Sequence, residues 1–67
     1  MKIWILTEEL SEGSKRIIGV YASPEKAQKD DEIPSSLEWR KTKWGFTAQD
    51  PKFKYCYYVL EDWNLIE

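Results

Sequence analysis

The chain contains no histidine and a single cysteine, Cys56. Any acid–base or nucleophilic chemistry would therefore fall to carboxylates, lysines, tyrosines or that one thiol. The acids come as sequence neighbours, Glu8-Glu9, Asp30-Asp31-Glu32 and Glu61-Asp62. Adjacent strand residues point to opposite faces, so within strands such neighbours make poor catalytic pairs. Cys56 lies between tyrosines in a run of strand formers, where a small buried apolar side chain is the expected role. One cysteine and no histidine cannot supply a structural zinc set, and no Gly-rich phosphate loop is visible. These residue types predict a non-enzyme, with no catalytic residue, metal or cofactor.

Binding is the remaining kind of chemistry, and two sets of side chains suit it. The first is acidic: Glu8, Glu9 and Glu12 near the start, Asp30, Asp31 and Glu32 in the middle, and Glu61, Asp62 and Glu67 late in the chain. The middle group falls at the C-terminal end of an expected helix, where the macrodipole disfavours negative charge. An extended negative surface can occupy a basic groove on a nucleic-acid-binding protein. The second set is a basic aromatic hairpin over 39–55, with Trp39, Arg40, Lys41, Lys43 and Trp44 at its heart. Stacking aromatics with interleaved cations are what single-stranded nucleic acid requires. Strand alternation predicts Arg40 on the same face as Trp44, with Lys41 opposite. The net charge of −2 lacks the basic footprint of a nucleic-acid binder, so this hairpin is the alternative to the acidic reading. Charge is nonetheless segregated: residues 1–38 sum to −3, residues 39–56 to +4 and residues 57–67 to −3.

These side chains need a scaffold, and 67 residues make one domain, 1–67. A chain this short buries only about 60% of the surface its unfolded form exposes. Small folds commonly add disulfides, a metal or self-association, and the residue inventory leaves only the last.

The dominant stretch is Phe53 to Leu65, rich in aromatic and β-branched residues that suit a pleated surface. Period 2 gives one face with Phe53, Tyr55, Tyr57, Val59, Trp63 and Leu65, interrupted by Glu61, and this face is expected to be core. The other face, with Lys54, Cys56, Tyr58, Leu60 and Asp62, is mixed. Ahead of it, Lys2 to Thr7 is expected as a central strand, and Leu10 to Lys15 as a hairpin loop in which Gly13 accepts positive φ. Arg16 to Tyr21 is the returning strand, where Gly19 marks a bulge or a side chain lying across the backbone. Ser23-Pro24-Glu25 is a helix start: Ser as N-cap, Pro at the first helical position, Glu facing the positive end. The helix must be short, because Ile33 precedes Pro34. Leu37 to Thr47 reads as an irregular strand interrupted by Gly45, and Asp50-Pro51 as a turn, so 38–48 and 53–65 form a second hairpin.

The expected fold is α+β: a small antiparallel sheet of order β-β-α-β-β along the chain, with one short helix packed on one face. The helix offers little apolar surface beyond Ala27, whereas the strands are apolar on both faces. An uncovered apolar patch marks an interaction surface, so a homodimer or a protein partner is expected, with Trp4 and Trp63 as candidate core or dimer contacts. A pocket of a few hundred Å³ is not expected in so small a sheet.

The order of Met1 to Leu6, Ile18-Gly19-Val20-Tyr21-Ala22-Ser23-Pro24-Glu25-Lys26-Ala27, and Tyr57 to Leu65 resembles a loose group of small uncharacterised bacteriophage-type proteins. Their pattern is a strand, a GVYxSxEKA helix start and a closing EEWEL-like strand. The resemblance spans most of the chain, and its motifs are structural. It implies a phage context, in which small non-enzymatic proteins bind and inhibit host proteins. Such a host protein could itself be one that binds nucleic acid. With a lone thiol and no apolar run of membrane-spanning length, the expected location is the cytoplasm, that of the host if phage-encoded, with no membrane partner.

Overall fold

A computed structural model describes residues 2–64 of the chain. Its elements are β1 (Lys2–Leu10), β2 (Lys15–Tyr21), α1 (Pro24–Gln28), β3 (Arg40–Lys41), β4 (Gly45–Gln49) and β5 (Cys56–Asn64). The five strands form one sheet of order β2-β1-β5-β4-β3, and every pairing is antiparallel. The molecule is therefore mostly sheet with one five-residue helix. The expected antiparallel sheet with a short helix on one face is present, but the helical layer is slight.

Local chemistry explains each boundary. Gly13, at φ 105°, closes the β1–β2 turn. The β1–β2 register shifts between Leu6 and Thr7, leaving Ile18 in a bulge opposite them, and the Tyr21 ring lies against Gly19. Both features anticipated at that glycine thus occur together. The Ser23 hydroxyl accepts the Lys26 N–H at 3.3 Å, and Pro24 opens α1, as the cap signature predicts. Asp50 orders the β4–β5 connection: Oδ1 accepts the Lys52 and Phe53 N–H groups at 2.8 and 3.2 Å, and Oδ2 accepts the Tyr58 hydroxyl at 3.1 Å.

Three expectations are corrected. Leu37 to Thr47 is not one strand: the chain turns at residues 42–44, with the Thr42 N–H donating to the Gly45 carbonyl at 2.8 Å, and β3 folds back on β4. Gly45 permits this turn because its φ is 155° and its α-carbon lies against the Leu60 carbonyl. The final strand begins at Cys56 rather than Phe53, since the turn anchored on Asp50 consumes residues 51–55. Leu65 and Glu67 lie outside the described residues.

The third correction concerns which face is core. Leu6, Cys56, Tyr58 and Leu60 are buried, and Leu6 and Leu60, cross-strand partners, are fully so. The face expected to be core, with Tyr57, Val59 and Trp63, is the open one: Trp63 is 55% exposed. Composition favoured the wrong side because the strand's richest aromatic run faces away from α1. Above the buried side, Ala27 and Ile33 are buried, and Leu37 and Trp39 pack at the margin. The irregular segment after the helix thus contributes more cover than the helix itself. Trp4 belongs to this layer, its ring centroid 5.9 Å from that of Phe46.

Candidate functional site

Register fixes the composition of the uncovered face. Ile5 pairs with Val20 on one side and Glu61 on the other; Thr7 pairs with Ile17 and Val59; Ile3 pairs with Trp63. Side chains directly opposite share a face, so Ile3, Ile5, Ile17, Val20, Val59 and Trp63 form one patch across β2, β1 and β5. Ile17 and Val20 are 66% and 57% exposed, because no layer lies over them. The patch is bordered by Tyr57 and by the Glu9–Lys15 ion pair at 3.5 Å. Toward β3 the face becomes polar through Thr47 and Arg40, which are register partners.

The acidic residues are not assembled into one surface. Glu8 and Glu9 project to opposite faces, as adjacent strand positions must. Arg16 bridges Glu8 and Glu32, at 3.5 and 3.6 Å, and Lys2 holds Asp62 at 3.2 Å. Glu12 accepts the Ser14 hydroxyl at 2.8 Å within the first turn. Asp30 accepts the Tyr21 hydroxyl and the Glu32 N–H. The Tyr21 bond, more than that backbone donor, holds the Asp30 carboxyl below its usual range. The Tyr21 phenol is pushed up to about 12, by burial first and then by Asp30. The fold therefore gathers Glu8, Asp30 and Glu32 around Arg16 and Tyr21, leaves Asp31 exposed beside them, and keeps Glu12, Glu61 and Asp62 apart. Glu61 sits half-buried on the open face and enters none of the ion pairs among the described residues.

The basic aromatic set is likewise divided. Trp39 packs at the margin of the core, where its ring is partly buried. Arg40 and Lys41 take opposite faces of β3, as alternation predicts, but Trp44 belongs to the turn and does not share a strand with Arg40. There it is 66% exposed, with the Lys43 Nζ 5.2 Å from its ring centroid.

Two open depressions exceed the expected size. One, of about 610 Å³, is lined by Glu38, Arg40, Gln49, Lys54 and Tyr57 at the β3–β4 side of the sheet. The other, of about 520 Å³, lies between residues 31–36 and 50–53 and is lined by Asp31, Glu32, Ile33, Lys52, Phe53 and Tyr58. Asp50 borders both, but its oxygens are committed. Burial is the largest single influence on it and opposes ionisation, yet the donors from Lys52, Tyr58 and Phe53 together hold its carboxyl below the ordinary value. Burial above all pushes the Cys56 thiol up, as suits a core residue. Among the described residues no group of three or more Cys, Asp and Glu side chains is placed to hold a metal ion. None of the described helices is long and apolar enough to cross a membrane.

No protein-family model, curated protein or solved structure matches this chain. Residue geometry is thus the basis for assigning a role. Of the strongest surface feature, sequence reading nominated only Trp63; Ile17, Val20 and Val59 were missed as contact residues. The signal was present in β1, where Ile3 and Ile5 alternate with Trp4 and Leu6 and so make both faces apolar.

Proposed function

We propose that this is a non-enzymatic binding protein of the phage type, one that attaches to a host protein and inhibits it. A single observation carries the reading. Among the described residues, Ile17, Val20, Trp44, Phe53, Tyr55, Tyr57 and Trp63 remain exposed, whereas the only large side chains fully buried are Leu6 and Leu60. A protein that leaves this much apolar surface in water is built to place it against another macromolecule. The acidic version of that contact narrows to Asp31 beside Phe53, with Glu32 shared with Arg16, because Lys2, Lys15 and Arg16 pair with Asp62, Glu9 and Glu8 within the chain.

A second reading has its own support: exposed Trp44, the Lys43 ammonium over its ring, and Arg40 on β3 suit weak binding of single-stranded nucleic acid. Affinity capture from bacterial lysate, with and without nuclease, separates the two. Retention of one nuclease-insensitive protein, weakened by Asp31→Lys or Phe53→Ser, is the result expected of a host-protein ligand. Loss of all retained material on nuclease treatment, with oligonucleotide binding that falls steeply with salt, would favour the basic hairpin.

A further inference from the structure

We infer that the open face of the sheet is covered by a second copy of this chain, forming a two-fold dimer in which two sheets pack face to face. The inference rests on the reading above in taking exposed apolar surface as contact surface, and it names the occupant of one part of it. The patch of Ile3, Ile5, Ile17, Val20, Val59 and Trp63 spans three adjacent strands. Ile17, Val20 and Trp63 are 66%, 57% and 55% exposed. With the partly exposed Ile3, Ile5 and Val59 and the bordering Tyr57, Glu9 and Lys15, the face supplies roughly 600 Å² per copy, or roughly 1,200 Å² for a pair, the lower bound of stable specific interfaces.

Charge agrees with self-association. This face carries two acids, Glu9 and Glu61, and two bases, Lys15 and Arg40, of which Glu9 and Lys15 are paired, so its charges cancel and it does not repel a copy of itself. Permanence points the same way. Among the described residues Leu6 and Leu60 are the largest fully buried side chains, so a standing cover adds more stability to this core than a partner met only on occasion. Flat inner faces packing as aligned sheets are an established way to supply it. The depression lined by Asp31, Glu32 and Phe53 lies on the opposite side, with Tyr58 and Ile33, and stays accessible in the dimer.

Light scattering at tens of micromolar tests this on the full chain. The expected mass is twice the 8.0 kDa of one chain, and Ile17→Glu should return it to 8.0 kDa with the far-ultraviolet circular dichroism retained. Should that variant fail to fold, the wild-type melting temperature decides, since a dimer's rises with protein concentration. A wild-type monomer, a concentration-independent melting temperature, or a dimer indifferent to both Ile17→Glu and Val20→Lys would overturn the inference. A monomer that still captures a nuclease-insensitive host protein would overturn the dimer alone; a monomer that captures nothing would overturn the host-protein reading as well.

Discussion

At the scale of single residues, two contacts fix how β4 meets β5. Asp50 satisfies three donors across the β4–β5 connection, and its depressed carboxyl pKa makes it an acid-sensitive lock. For a carboxylate whose folded value lies below the unfolded one, the stabilisation is fully present above the unfolded value, here 3.8, and disappears as pH falls through the lower folded value. Denaturant midpoints measured from pH 7 down should therefore fall in that acid window, and Asp50→Asn should flatten the decline while lowering stability at neutral pH. Tyr58→Phe, which strips one donor from Asp50, should cost about 1–3 kcal/mol. Gly45 is the second contact. A β-carbon there would overlap the Leu60 carbonyl oxygen, and that backbone cannot yield without disturbing the central strand. Gly45→Ala should cost ~2 kcal/mol or more, read as a lowered melting temperature with early loss of amide protection in β3 and β4.

At the scale of elements, the sheet has a dry side and an open side, and paired substitutions distinguish them. Leu60→Ala removes a fully buried side chain and should cost about 2–5 kcal/mol. Ile17→Ala, on the open side, should change the stability of a dilute sample by no more than about 0.5 kcal/mol. Equal losses at the two sites, measured by urea denaturation, would mean that the assignment of faces is wrong. That assignment is also where the sequence was least legible. The Ser23-Pro24 cap, the Gly13 turn, the Gly19 bulge and the pairing of the first two strands follow from local chemistry acting within a few residues, and all were readable. Which side of Phe53 to Leu65 faces inward depends on where residues 29–39 settle, a long-range fact that alternation alone does not encode. The same reason hid the role of Trp39: its spacing with Arg40 and Trp44 suited a stacking surface, but Trp39 packs at the margin of the core. The acids were legible as neighbours pointing apart, whereas their neutralisation by Lys2, Lys15 and Arg16 depended on register.

At the scale of the whole molecule, the account turns on unfinished burial. An 8.0 kDa chain without a disulfide folds one sheet, shelters one side with Ala27, Ile33, Leu37 and Trp39, and leaves the other uncovered. The proposed dimer completes that burial while keeping Asp31, Glu32 and Phe53 outward for a host protein, so assembly and recognition occupy opposite sides of the sheet. Isotope-filtered nuclear Overhauser spectroscopy on an equal mixture of labelled and unlabelled chains tests this most directly. The account predicts intermolecular cross-peaks from the methyl groups of Ile17, Val20 and Val59 to aromatic protons of the open face, Trp63 foremost. A spectrum at the same concentration in which those methyls show only intramolecular neighbours would contradict it.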